Sequence, residues 1–253
     1  MSDPNPQGRG GLERDAVYAR PRQDLVDFSF DEAVARVFPD MIRRSVPGYE
    51  TLNGLLGVLA ERYVLAGTSI YDLGCSLGAA SASVRRRVRH PGTRIVAVDS
   101  AEAMTRRCRV MANREPGGPP VDVVCADMRH VRIDNASLVI INLSLQFLPP
   151  QNRQGLLQGI FDGLVPGGAL VLTEKLAFEE PAEGRLHASL HEAVKRANGY
   201  SELEIGQKRA ALERILLPDT REAHVHRLRE VGFDEVYEWF RCLNFVSLLA
   251  VKP

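Results

Sequence analysis

One turn and three strand ends carry the chemistry open to this chain. Residues 72–78 read Asp-Leu-Gly-Cys-Ser-Leu-Gly, after the apolar pair Ile70-Tyr71 and before a helix of small residues. A strand feeding a Gly-rich turn at a helix start is how doubly wound folds hold adenine-containing cofactors. The spacing D-x-G-C-S-x-G is not the G-x-G-x-x-G that cradles a pyrophosphate. It turns the reading from dinucleotides toward S-adenosylmethionine, which has no phosphates. Gly74 lets the backbone turn tightly and approach a ligand, with Cys75 and Ser76 beside it. Three later apolar runs end on polar residues: Asp99, Asp127 and Asn142. A carboxylate at Asp99 can accept both ribose hydroxyls. Asp127, next to Met128, can take an adenine amino group. Asn142 can hold the amino-acid part of the ligand or the reacting centre. Together these positions are a much stronger signal than the lone Gly turn; the plainer alternative is that they are the capping and turn residues of an ordinary α/β fold.

Other reactive side chains read more plainly. Cys75, Cys108, Cys125 and Cys242 are scattered, with no C-x-x-C pair, and nothing adjacent to Cys75 would lower its pKa. His187 and His191 stand four apart without a third ligand, so they read as helix-surface residues, and no metal site is expected. Arg85, Arg86, Arg87 and Arg89 suit a solvated helix end favoured by the helix dipole. The stretch from Lys195 to Arg209 reads as solvated helix on composition, although a planar Arg from a lid also suits bidentate carboxylate binding. The residues alone do not choose between these.

The elements that must position these groups alternate regularly. Strands are expected over 69–72, 94–99, 121–126, 137–142 and 169–174, with helices over 79–89, 101–113 and from 149 onward between them. That rhythm implies a parallel sheet with right-handed crossovers. Residues 180–217 break it and read as two or three inserted helices, a lid. A helix over 219–232 and two successive strands, 235–240 and 245–252, add an antiparallel end. The expected fold is therefore α/β, Rossmann-like, with a mostly parallel seven-stranded sheet. Upstream, Val34, Val37, Phe38, Met41 and Ile42 recur at helical spacing, and Pro39 predicts two short pieces. Residues 1–24 read as a mobile tail and 25–253 as a single domain. The 32 basic and 32 acidic residues cancel, which argues against nucleic-acid binding. No run of about 18 apolar residues predicts a membrane span, and a cytoplasmic protein with reduced thiols is expected.

Beyond residue 24 the sequence resembles the carboxy-S-adenosyl-L-methionine synthases, within the class I S-adenosylmethionine-dependent methyltransferase superfamily. The likeness rests on FSFDEAVARVFPDMIRRSVPGY (28–49), YDLGCSLGAAS (71–81), DNAS (134–137), SLQFL (144–148), LVPGGALVLTEK (164–175), KRANGYSELEIGQKR (195–209) and FRCLNFVSLLA (240–250). Generic methyltransferases share only the Gly turn and PGG. The resemblance implies conversion of S-adenosylmethionine and prephenate to carboxy-S-adenosylmethionine, phenylpyruvate and water, through a methyl ylide that captures carbon dioxide in a closed site. It implies ligand contacts at Tyr49, at Gly74, Cys75 and Ser76, at Asp99 with Ser100, at Asp127 with Met128, and at Asn142. Arg209 is implied to bind the transferred carboxylate from the neighbouring subunit of a homodimer, with Tyr49 positioning beside it. Ser100 and Met128 depart from the commoner Asn and Ile at positions where backbone makes part of the contact. A functional link to a tRNA carboxymethyltransferase follows, without direct nucleic-acid binding. An ordinary small-molecule methyltransferase shares every ligand residue through Asn142, and Arg209 is what separates the two. A non-catalytic ligand-binding partner is a third reading.

Overall fold

A computed structural model describes residues 13–21, 27–114 and 117–253. Helix α1 (Glu32–Ser45) is capped by Asp31, whose carboxylate accepts the Val34 N–H at 2.9 Å. It runs unbroken through Pro39, where two pieces were expected. An internal proline forfeits one backbone hydrogen bond. Here Val34, Ala35 and Val37 before it and Met41 after it bury one apolar face, and that packing carries the helix through.

Helix α2 (Tyr49–Tyr63) leads into β1 (Ser69–Leu73), α3 (Ala79–Arg87), β2 (Arg94–Asp99), α4 (Glu102–Arg114), β3 (Val121–Cys125), β4 (Ala136–Asn142), α5 (Pro150–Gly163) and β5 (Leu164–Lys175). The 180–217 interval holds two helices, α6 (Pro181–Ala197) and α7 (Glu202–Leu212). Helix α8 (Arg221–Glu230) and the hairpin β6 (Glu235–Cys242) and β7 (Phe245–Val251) follow.

The strand order is β3-β2-β1-β4-β5-β7-β6. The first five are parallel, and β7 runs antiparallel between β5 and β6. The order reverses between β1 and β4, so their carboxyl ends open the crevice where ligands bind in such sheets. Strand β5 starts earlier than the sequence suggests, because the Pro166-Gly167-Gly168 turn lies inside its pairing with β4 and shifts the register after Ala136. Apolar layers cover both faces. Leu157 and Ile160 of α5 and Leu228 of α8 lie on one, and Leu56 and Ala60 of α2 and Val84 of α3 on the other.

A third apolar cluster joins α1 to Tyr18, Phe28, Met104 and Ala211. Residues 13–21 were expected to be part of a mobile tail, yet Asp15 and Tyr18 are buried. The Asp15 N–H donates to Asp40 at 2.8 Å, and the Tyr200 hydroxyl donates to Asp15 Oδ2 at 2.5 Å. Gln207 Nε2 donates to the Tyr18 carbonyl at 2.9 Å. Composition reads such a segment as mobile and does not report these long-range bonds, which dock it against the lid. The remainder of the expected tail, residues 1–12 and 22–24, lies outside the described residues. Among the described residues no helix is long and apolar enough to cross a membrane.

Candidate active site

A cavity of about 460 Å³ opens at the β1/β4 switch point, in the size range of small-molecule sites. Its floor is the turn after β1. Gly74 sits at φ +77°, and a Cβ there would lie 2.3 Å from Ser144 Cβ. Only glycine lets the β1 and β4 loops approach this closely. The Ser144 hydroxyl ties the two loops by donating to the Leu73 carbonyl at 2.7 Å. Beneath the turn, buried Asp72 accepts from Ser81 N and Oγ at 3.1 and 2.6 Å and pins the start of α3. Burial pushes its carboxyl up to about 6.

Asp99 ends β2 and turns both oxygens to work. Oδ2 accepts the Ser76 N–H and Oδ1 the Ala101 N–H, each at 2.9 Å. Each oxygen keeps further acceptor capacity toward the cavity. Burial raises its pKa despite these donors. Asp127 is different. Its carboxylate is gripped by Arg129, with Nε at 3.0 Å from both oxygens and a terminal nitrogen at 2.5 Å. Arg129 holds that carboxyl below the usual range. Asn142 ends β4 with its side-chain oxygen buried and lacking a hydrogen-bond partner. Buried acceptors are almost always satisfied, and Asn142 lines the cavity, so its unpartnered oxygen is a candidate acceptor for a ligand donor. The Tyr49 hydroxyl is pushed up to about 12 by burial and stays protonated.

The loop at 144–148 continues this lining and is fixed from two sides. Buried Glu174, at the end of β5, accepts the N–H groups of Ser144, Leu145 and Gln146 at 3.2, 2.8 and 3.1 Å. Burial pushes its carboxyl up to about 8 against those donors. The fully buried Arg153 donates to the Leu148 and Leu217 carbonyls at 2.8 and 2.7 Å and to Asp219 at 2.6 Å. Phe30 stands edge-on to Phe147 of this loop, 5.4 Å between centroids, and both rings line the cavity.

Tyr49, Gly74, Cys75, Ser76, Asp99, Ser100, Asp127, Met128 and Asn142 all line this one cavity. Arg209 does not. It lies on the outer side of α7, 71% exposed, and donates to Glu192 at 2.8 Å. Hydrogen bonding to Cys108 and burial raise the Cys75 thiol pKa, which leaves it inert. Lys175, His191, Lys195 and Lys208 also line the cavity, although none of them is among the ligand contacts expected from the sequence. His191, read as a surface residue, is buried, and its ring Nε2 donates to the Ser45 carbonyl at 2.7 Å. His187 stacks on Phe178, centroids 4.3 Å apart. No cluster of His, Cys, Asp or Glu suited to a metal ion occurs among the described residues.

The alternation of strands and a Gly turn with acidic strand ends matches a known family model, a methyltransferase domain, over residues 70–168. The likeness to curated proteins runs much further. A carboxy-S-adenosyl-L-methionine synthase of Enterobacter sp. (strain 638) is 54% identical over 240 residues, 95% of this chain and 98% of the relative. One from Pasteurella multocida (strain Pm70) is 50% identical over 241 residues, 95% of this chain and 100% of the relative.

The chain belongs to the carboxy-S-adenosyl-L-methionine synthase family.

It is thus a transferase-type enzyme whose cofactor is S-adenosylmethionine. The family shares its scaffold with more distant solved proteins. An O-methyltransferase family protein from Burkholderia thailandensis aligns with TM-score 0.62 at 19% identity, covering 88% of this chain and 60% of that one. The methyltransferase SibL aligns with TM-score 0.61 at 17% identity, covering 88% and 58%. At those identities they share the fold alone.

Proposed function

We propose that this enzyme converts S-adenosylmethionine and prephenate into carboxy-S-adenosylmethionine, phenylpyruvate and water. The product is the carboxymethyl donor for the 5-oxyacetic acid modification of the tRNA wobble uridine, made in the cytoplasm by the unit spanning 25–253. The observation that carries this reading over ordinary methyl transfer is the likeness to carboxy-S-adenosyl-L-methionine synthases along 95% of the chain, lid included. The balance of the reaction is closed. Prephenate loses carbon dioxide and hydroxide as its ring becomes aromatic. The carbon dioxide replaces one methyl proton, and that proton leaves with the hydroxide as water.

Bound S-adenosylmethionine supplies a sulfonium-activated methyl group as the carboxyl acceptor. The chain's own residues bind, orient and exclude water. Asn142 Oδ1 accepts from the ligand's ammonium group, which satisfies the orphan acceptor. Asp99 accepts the ribose hydroxyls with the lone pairs its two backbone donors leave free. Asp127 meets the adenine amino group while Arg129 holds its carboxylate in place. Backbone of Ser100 and Met128 frames the base, and Gly74, Cys75 and Ser76 run along the methionine part. The Tyr49 hydroxyl, kept protonated, donates at the reacting end. Phe30 and Phe147 keep the mouth dry, as carboxylation in competition with reprotonation requires.

Arg209 acts in trans, from the neighbouring subunit of a homodimer. It is exposed and outside its own cavity, on a lid whose Leu186, Leu190 and Leu203 are also exposed, an apolar face suited to a second copy. Replacing Arg209 by Ala should weaken carboxylated-product binding by about 1.5–3 kcal/mol, the worth of a charge-assisted contact, and leave S-adenosylmethionine binding within about threefold. Equal losses for both ligands, measured by calorimetry, contradict the carboxylate role. Incubation with S-adenosylmethionine and prephenate should yield a ligand heavier by one carbon dioxide. A protein that returns only S-adenosylmethionine or S-adenosylhomocysteine in the mass spectrum overturns the proposed reaction.

A further inference from the structure

The cavity has a second wall that the adenosyl ligand does not explain. Lys175 at the end of β5, Lys195 and His191 on α6, and Lys208 on α7 line it beside Ser45. No carboxylate among the described residues comes within ion-pair distance of Lys175 or Lys195. The acid nearest in charge to both, Glu192, is engaged by Arg209 at 2.8 Å. Lys208 is buried, donates to Ser45 Oγ at 2.9 Å, and has Asp15 as a distant counter-charge at 4.0 Å. That same Asp15 oxygen already takes the Tyr200 hydroxyl. His191 is kept neutral, pushed down to about 3 by burial and by the neighbouring lysines, and adds no charge of its own.

Three amines facing one cavity without matching carboxylates are self-repelling. A sulfonium ligand makes this worse, because it adds a positive charge to the same enclosed space. The arrangement becomes favourable when a second ligand brings two negative charges between the amines and the sulfonium. Phe245, edge-on to His191 at 5.2 Å, and Val46 give the same wall an apolar surface. A ligand that suits both is a small carbocycle carrying two carboxylates.

We propose that Lys175, Lys195 and Lys208 form the subsite for a compact dicarboxylate co-substrate, with Ser45 and Asp15 fixing the Lys208 ammonium from behind. This deepens the proposed reaction and rests on it for the identity of the natural ligand, since prephenate is such a dianion. The lysines select a dianion, and they place it beside the sulfonium without any contact from Arg209 of the same chain. An ordinary methyl acceptor, neutral or nucleophilic, has no use for them.

The test uses the full chain saturated with S-adenosylhomocysteine, which fills the adenosyl subsite without reacting. Phenylsuccinate, a stable dicarboxylate, is titrated calorimetrically against 3-phenylpropionate, its monocarboxylate counterpart. The wild type should favour the dicarboxylate by more than about tenfold, and Lys175→Gln and Lys195→Gln should each weaken it by about tenfold or more, the effect of one lost charge-assisted contact. S-adenosylhomocysteine affinity should stay within about threefold, since these lysines do not hold the adenosyl group. Lys208→Gln should behave likewise, and the two less buried lysines decide the matter if that variant folds poorly. In turnover, KM for prephenate should rise in each variant more than kcat falls. Unchanged dicarboxylate affinity and unchanged prephenate KM in Lys175→Gln and Lys195→Gln overturn the subsite, even if the wild type makes the carboxylated ligand. Lysine-dependent dicarboxylate binding in a protein that leaves prephenate unconverted supports the subsite and removes the proposed reaction instead.

Discussion

Gly74→Ala probes the floor of the cavity, and its cost can be worked from two separate terms. The residue sits at φ +77°, a left-handed conformation that costs an L side chain about 1–2 kcal/mol. The new methyl would also lie 2.3 Å from Ser144 Cβ and 2.5 Å from Ser144 Oγ. Overpacking of that kind costs about 1–3 kcal/mol. The expected loss is therefore about 2–5 kcal/mol of folding stability. Ser144→Gly removes both colliding atoms but also the hydroxyl that donates to the Leu73 carbonyl at 2.7 Å, and alone should cost about 1 kcal/mol. In the double variant the collision is gone while the backbone strain remains. A double-mutant cycle by chemical denaturation should thus show about 1–3 kcal/mol of favourable coupling. Additivity within about 0.5 kcal/mol would show that Ser144 is not what excludes a side chain at position 74, and the tight apposition of the β1 and β4 loops would have to be abandoned.

Asn142→Leu should leave stability without ligand unchanged or slightly raised, because it removes an unpartnered buried acceptor, while weakening S-adenosylmethionine by about tenfold or more in calorimetry. A variant that binds the ligand as tightly as the wild type would dismiss the ammonium contact. Asp15→Ala removes the acceptor of the buried Tyr200 hydroxyl and the counter-charge of Lys208, and should cost about 2–4 kcal/mol in denaturant melts. A loss under about 0.5 kcal/mol would mean that residues 13–21 are not anchored to the lid. Dicarboxylate affinity should fall as pH rises from about 7 to 9, with proton uptake on binding, because burial has pushed Lys208 to about 7 and Lys195 to about 8, and only their protonated forms attract a dianion. Asp15, Asp40, Arg44, Tyr200 and Lys195 face Lys208, and none of them changes this sign. Calorimetry in buffers of different ionisation enthalpy reads the uptake directly, and a pH-independent affinity would refute it.

The sheet was legible because its signals are local. Apolar runs of strand length, a Gly turn and a polar residue at each strand end bring Gly74, Asp99, Asp127 and Asn142 to one rim once the alternation is recognised. The lid was legible as helices but not in its orientation. On α6 the leucines Leu186 and Leu190 face outward, while His191 and Lys195 face the cavity. Hydrophobic periodicity normally marks the inward face, and it inverts here because the helix covers a polar cavity rather than a core. On α7, Lys208 and Arg209 are adjacent in sequence, yet Lys208 lines the cavity while Arg209 is exposed, which only the packing of α7 decides. The segment at Asp15 and Tyr18 was missed for a related reason. Its partners, Tyr200 and Gln207, lie 185 and 189 residues away, and no composition signal reports them. Pro39 misled because helix propensity is weaker than the packing of the face on either side.

Passage of the prephenate carboxyl to S-adenosylmethionine inside this cavity can be read by following that carbon. The purified protein is incubated with S-adenosylmethionine and prephenate labelled with carbon-13 in its ring carboxylate, in buffer containing unlabelled bicarbonate. The bound ligand should gain the mass of one labelled carbon dioxide. An unmodified ligand, or one carrying unlabelled carbon from bicarbonate, would contradict it.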